Sequence, residues 1–326
     1  MTDENVIFGE DSKAKFTLYL AILLTFLGYS GRYIGIEPIK NQFFVFAVWS
    51  AILLADNLAY RFKGNSLLIS RTPEFMFLAA WSLAIAGLLE LLNLRLGAWC
   101  YINQPPDLSM RWTGRALTWA SALPSLFVMD ELLQAFGLFR GLRSKAFQIK
   151  PGLLAGFNAA GAALLCLALA APELFWPLAL PAVFLLAEPL NLRLGLPSLL
   201  REWEGGMPGK TLRLAAAGLT CGLLWTWWNK AAGSGWEYSL PARVFSSLPE
   251  AAYAGYPILG LAAYSLYSLA SYLRAGKNWE ETTWHMPGKP PAAAVQWSAA
   301  AFLFITSFIA LRAVDSHTVK IFLGWL

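Results

Sequence analysis

Two stretches of the chain set acids, amides and aromatic rings at spacings suited to chemistry on an apolar molecule. The first reads Glu90-Leu-Leu-Asn93-Leu-Arg-Leu-Gly97-Ala-Trp99-Cys-Tyr101, the second Trp227-Trp-Asn229-Lys-Ala-Ala-Gly233-Ser-Gly-Trp236-Glu-Tyr238. Glu90 and Asn93 stand three apart, hence on one face of a helix. A carboxylic acid kept in an apolar site is what proton donation to an alkene requires. An ionised, unpaired carboxylate there costs at least about 2.5 kcal/mol, so Glu90 must pair, snorkel or hold its proton, and Arg95 is the nearest partner along the chain. Trp99, Tyr101, Trp236 and Tyr238 admit two readings. They either form the aromatic belt common at a membrane boundary, or frame a pocket for a long apolar substrate and stabilise a developing cation with their faces. Asn93 and Asn229 join them as candidate substrate contacts.

These residues need elements to hold them, and composition says which. The 326 residues are 57% hydrophobic and 14% charged, against about 25% charged in an ordinary soluble domain. The expectation is an all-α, polytopic transmembrane bundle forming a single integral membrane domain over residues 1–326. Runs of about 17 to 25 apolar residues can cross as helices. Nine are expected, at residues 14–31, 43–60, 74–94, 116–139, 152–172, 174–195, 212–230, 250–273 and 292–314, with eight or ten as the neighbouring counts. Pro177, Pro181 and Pro189 kink the sixth or make it re-entrant. Acids rather than bases crowd the first 15 residues, so the first helix is expected to be retained and not to act as a signal peptide. Of the 25 Lys and Arg, 16 lie in the N-terminal segment and even-numbered loops. That bias places the N-terminus in the cytoplasm and the protein in the cytoplasmic (inner) membrane of a bacterium.

The dispersed basic residues mark topology and do not suggest nucleic acid. Cys100, Cys166 and Cys221 are too scattered for a metal spacing, and His285 and His317 fall outside the apolar runs where a haem or di-iron centre would need them. No metal and no cofactor is expected. The run Glu204 to Thr211 copies only the end of a phosphate-binding loop and lacks its first glycine and preceding strand. Glu188, Asn191 and Arg193 repeat the wording of the third helix, but on the opposite membrane side, and read as coincidence in a Leu-rich segment. Asp130 and Glu131 are adjacent and must point to different faces. The two aromatic hairpins are four helices apart, an even number, so both belong on one face, as a parallel internal repeat with halves at about 43–150 and 174–290 would place them.

An acid nine residues before a tryptophan, then G-x-W-x-[FY], then a proline followed by acids, resembles the repeat of integral-membrane lycopene cyclases of carotenoid biosynthesis. The first copy supplies Glu90, Gly97, Trp99, Tyr101, Pro124 and Asp130-Glu131. The second supplies Gly233, Trp236, Tyr238, Leu248-Pro249-Glu250, Pro257 and Tyr264. The resemblance covers about a third of the chain. It implies an isomerase without a cofactor, in which an acid protonates a polyene end and a base takes a proton from the resulting carbocation. Glu90, Glu131 and Glu250 become the candidate catalytic groups. The chain departs from the pattern where Trp227 stands at the acid's place in the second copy. Three functions follow as expectations: an enzyme acting on an isoprenoid or carotenoid-like lipid, a transporter or lipid flippase using an intramembrane polar path, and a non-catalytic subunit. The partner in the first two is a membrane lipid or apolar small molecule; no motif names a protein partner.

Overall fold

The computed structural model describes residues 3–239, 248–274, 277–280 and 291–323; the side chains of 3–8 and 248–253, like His285, lie outside the described part. The elements in order are α1 (Asp3–Ile34), α2 (Phe43–Lys63), α3 (Thr72–Leu96), β1 (Trp99–Ile102), α4 (Leu108–Ala135), α5 (Pro151–Ala170), α6 (Pro172–Phe175), α7 (Ala179–Leu194), α8 (Leu199–Glu204), α9 (Gly209–Ala231), β2 (Gly235–Tyr238), α10 (Leu248–Ser271) and α11 (Ala293–His317). The fold is therefore all-α apart from one short ribbon.

Among the described residues six helical stretches are long and apolar enough to cross a membrane: Gly9–Ile34, Phe43–Lys63, Thr72–Leu96, Pro151–Ala170, Pro172–Leu194 and Ala293–His317. The apolar windows of the first, fourth and sixth are only 17% buried. Such surface belongs against lipid, because a helix that is apolar all round must be covered on every side. The protein is an integral membrane protein. The other three long helices, α4, α9 and α10, carry the polar interior. Arg111, Arg115, Asp130 and Glu131 lie on α4, Lys210 and Arg213 on α9, and serines and tyrosines on α10. Eight of the nine expected segments coincide with long helices and the sixth with an interrupted one, but among the described residues only six qualify as spans by length and composition.

The boundaries differ where polar groups start a helix. Asp107 caps α4 by accepting from the Met110 amide at 2.7 Å, so α4 begins at Leu108, eight residues before the expected 116. Its first two turns hold Arg111 and Arg115, which an apolar count passes over. The expected sixth helix is broken into α6, a 3₁₀ turn at Trp176–Leu178 and α7, because Pro172 and Pro177 start new turns and cannot continue old ones. Pro189 stays inside α7.

Packing follows one plan twice. In the first half α1 lies on α2, α2 on α4 and α3 on α4; in the second α5 lies on α7, α7 on α10 and α9 on α10. The halves meet through α4 and α2 against α9, and α11 covers α3. Close approach of α9 and α10 depends on Gly218, where a Cβ would fall 2.9 Å from the Gly260 backbone nitrogen. Small residues let membrane helices meet backbone to backbone in this way.

Candidate functional site

The two aromatic words become the two strands. β1 and β2 pair antiparallel, with Trp99 opposite Tyr238, Cys100 opposite Glu237 and Tyr101 opposite Trp236. Directly opposed residues share a face of a sheet, so all four aromatics stand on one side of the ribbon. Strand β1 is flanked on its other edge by the C-terminal segment. The Tyr101 amide donates to the Thr318 carbonyl at 2.8 Å, and the Gln104 amide donates to the Ile321 carbonyl at 2.9 Å. After α11, residues 318–323 thus form a third edge of this ribbon.

Asn93 and Asn229 make the strands possible. The Asn93 carboxamide oxygen accepts from the amides of Ala98 at 2.9 Å and Trp99 at 3.3 Å, while its nitrogen donates to the Trp99 carbonyl at 2.9 Å. Asn229 does the same for Trp236, accepting at 2.9 Å and donating at 2.7 Å. Gly97 ends α3 with φ +58, a left-handed turn that glycine adopts without strain and that frees the chain to enter β1. Both amides are thus spent on backbone, which places Asn93 and Asn229 as clasps under the aromatic corners. Asn93→Ala is expected to lower stability by about 2 kcal/mol, since it orphans two buried donors. Asn229→Ala, which orphans one in a half-buried setting, should cost less. Thermal melting of the purified variants in detergent checks the order; equal losses would refute the clasp.

Glu90 sits beneath this ribbon, 5% exposed. The Trp99 indole donates to it at 3.2 Å and the Tyr101 hydroxyl also donates to it. Arg95, the partner anticipated from sequence, instead reaches the Ala170 carbonyl at 3.4 Å. The same place in the second half is filled by Thr226, three residues before Asn229 as Glu90 is before Asn93. Thr226 hydrogen-bonds the Tyr256 hydroxyl at 2.6 Å, which in turn lies 3.3 Å from the Tyr238 hydroxyl. Trp227, by contrast, is 59% exposed on the outer side of α9. Counted from the asparagine, the position matching Glu90 is Thr226 and not Trp227, because the Asn-to-Trp spacing is one residue longer at Asn229–Trp236 than at Asn93–Trp99.

The remaining candidate acids lie elsewhere. Glu131 is buried in an ion pair with Arg71, with Lys63 at 3.2 Å. Asp130 faces the other way, to Arg213 of α9 at 2.8 and 3.1 Å. Both are sixteen residues or so along α4 from Arg115, about 24 Å at helical rise, so the structure does not bring Glu131 and Glu90 together. Glu250 lies in the first turn of α10 and its side chain is outside the described part. Glu188 is at the end opposite the ribbon, taking hydrogen bonds from Ser198, Leu199, Leu200 and Ser265.

Sequence reasoning missed a second cluster beside Glu90. Arg111 and Arg115, one turn apart on α4, share Asp315 of α11. Arg111 donates to it at 3.0 and 2.9 Å, Arg115 at 2.7 Å and the Trp112 indole at 2.7 Å. The Arg115 guanidinium also lies 4.9 Å over the Tyr101 ring. The available signal was two arginines spaced i and i+4 inside a helix of a membrane protein. These residues border a cavity of about 60 Å³ under the ribbon, with Tyr101 and Trp236 in its wall. Phe44, edge-on to Trp236 at 5.1 Å and Trp228 at 6.4 Å, separates it from a smaller apolar slot of about 20 Å³ between α2, α4 and α9. The ribbon end thus combines a buried carboxylate, a cationic cavity and four inward aromatic rings. Compared with protein-family models, curated proteins and solved structures, the chain finds no match.

Proposed function

We propose that this membrane protein acts on an apolar isoprenoid or carotenoid-like lipid by carboxylate acid–base chemistry, one end of the substrate reaching the ribbon. The observation that carries the reading is the setting of Glu90: buried, accepting from Trp99 and Tyr101, at the seam where the two aromatic corners pair. A carboxylate accepting two such bonds is held in its ionised, acceptor-only form, the state a base must be in before it takes a proton. Glu90 is therefore assigned the base that removes a proton from a carbocation, with the aromatic faces stabilising that cation first. A proton added at one carbon of the polyene and one removed at another give a net isomerisation with no redox change. Glu250, at the ribbon end of α10, is the acid the resemblance supplies for the first step. Glu131, within its distant ion pairs, has a structural part, and Asn93 and Asn229 position the strands.

The matching packing of the two halves supports a parallel duplication, extended to include α1 and α5. The basic loops of the end opposite the ribbon support a cytoplasmic N-terminus. Transport would need polar groups from end to end. Beyond Phe44 the slot is walled by Val48, Ile52, Leu224 and Trp225, which favours the enzyme reading.

Expression in a bacterial strain that accumulates linear carotenoids, followed by chromatography of the pigments, tests it. A new cyclised pigment is expected, and Glu90→Gln should reduce its yield about a hundredfold or more, the usual contribution of a general base, with membrane insertion unchanged. Unaltered pigments in cells holding the inserted protein would overturn the cyclase reading, and full activity of Glu90→Gln would remove Glu90 from the base role.

A further inference from the structure

The cavity under the ribbon is built from two buried arginines and neutral groups. Arg111 and Arg115 are 7% and 5% exposed. Asn41, Gln42, Gln104 and Ser234 line the same space, and among the described residues no Asp, Glu or Lys does. Among the described residues Asp315 is the one carboxylate hydrogen-bonded to the arginines. Glu90, the other acid of this cluster, does not line the cavity and lies behind Tyr101, whose hydroxyl donates to it and whose ring Arg115 covers. Arg111 is saturated, with its remaining amino group donating to the Pro105 and Pro106 carbonyls at 2.7 and 3.0 Å. Arg115 is not. Its two terminal nitrogens go to Asp315 at 2.7 Å and Gln104 at 3.3 Å, but its Nε is buried with no partner among the described residues.

A buried donor without an acceptor costs roughly 1–3 kcal/mol. On a guanidinium that lines a polar cavity, this deficit calls for an anion with several acceptor oxygens, the class that guanidinium groups select. The N-terminus of α2, a 21-residue helix, adds to the field, since Phe44 and Val45 of its first turn also line the cavity; helix N-termini favour negative charge. At about 60 Å³, against at least about 10–15 Å³ for one water, the space admits a small headgroup-sized anion and excludes a lipid chain.

We propose that this cavity is a binding site for a phosphate-type anion held by Arg115, with Arg111 and Asp315 fixing the guanidinium. The proposal stands apart from the isoprenoid reading. The anion has two sources, a free phosphate or the phosphate of a lipid whose chains remain in the bilayer. Isothermal titration of the full-length protein in a neutral maltoside detergent tests it, using inorganic phosphate, a short-chain phosphatidic acid and phosphatidylcholine of the same chain length.

Saturable binding of phosphatidic acid at least tenfold tighter than phosphatidylcholine is expected, weakened at least tenfold by Arg115→Gln. Thr118→Leu fills the cavity wall without touching the ion pair, and should weaken binding similarly while the melting temperature holds. Competition by inorganic phosphate identifies the free anion as sufficient; binding of the lipid alone assigns the site to a headgroup. Equal affinity for the two lipids, no binding of either phosphate probe, or binding undiminished in both variants would overturn the proposal.

Discussion

Asp130→Leu is expected to destabilise the bundle by about 3–5 kcal/mol, and adding Arg213→Met is expected to restore most of that loss. Asp130 is fully buried and holds Arg213 through two hydrogen bonds, at 2.8 and 3.1 Å, across the contact between α4 and α9. That contact joins the two halves of the molecule. Removing the carboxylate alone strands a guanidinium whose side chain is 14% exposed, and an uncompensated buried charge costs about 3–5 kcal/mol. Replacing both partners by apolar groups of similar bulk removes the stranded charge, and such swaps are often neutral. Thermal unfolding followed by tryptophan fluorescence in detergent gives the comparison. A double variant as weak as Asp130→Leu would show that the pair contributes through packing shape, not through charge compensation.

The large architecture was legible because lipid imposes a simple rule. Apolar runs long enough to cross must become helices; the nine expected runs are helical, the sixth with a 3₁₀ break, and six of them qualify as spans among the described residues. That rule misleads where polar groups that look like a helix end lie in the protein interior. Arg111 and Arg115 begin α4 inside the protein, since Asp315, two hundred residues later, neutralises part of their charge. No local pattern encodes so distant a partner. The same applies to the ribbon. Four-residue strands such as Trp99–Ile102 have no hydrophobic period to detect, and pairing came from the position of two hairpins on one end of the bundle.

The site was legible in part for a related reason. Glu90, Asn93, Trp99 and Tyr101 lie within twelve residues, and the structure brings them into contact because a helix end and the turn after it are a local unit. Asn229, Trp236 and Tyr238 form the matching unit, and the even number of helices between them correctly put both on one face. The roles moved, however. The two asparagines, read as substrate contacts, are consumed by strand backbones. Glu131, grouped with Glu90 by resemblance, sits at the other end of α4. A helix carries its residues about 1.5 Å apart along its axis, so acids on one helix share a site only when close in sequence, and those on different helices share one only if the packing decides it.

Glu188→Ala and Asp56→Ala are expected to be damaging in the same way and in that order. Chance wording was the sequence-based reading of Glu188, whose words had been set beside the third helix. Its structural counterpart is Asp56, 132 residues earlier, with Ala55, Leu58, Arg61, Ser66, Leu67 and Leu68 matched by Ala187, Leu190, Arg193, Ser198, Leu199 and Leu200. Each acid lies late in its helix and gathers the loop that follows. Asp56 accepts from the Ser66 hydroxyl at 2.6 Å and from the Leu68 and Ile69 amides at 2.8 and 3.3 Å. Glu188 accepts from the Ser198 hydroxyl at 2.8 Å and the Leu199 and Leu200 amides at 3.0 and 3.4 Å, and in addition from Ser265 of α10 at 2.7 Å.

With a cost of roughly 1–3 kcal/mol for each buried donor left unmet, either alanine variant should lose at least about 3 kcal/mol. Glu188→Ala should lose more, because it also removes the Ser265 hydrogen bond between α7 and α10. Glu188→Gln keeps an acceptor oxygen for part of the set and should fall between wild type and alanine. Melting of the three variants, with limited proteolysis reporting on residues 195–208, separates loop release from global unfolding. If Asp56→Ala proved silent while Glu188→Ala unfolded the protein, the likeness of the two anchors would be one of wording alone, and the case for a duplicated unit would lose its most specific support.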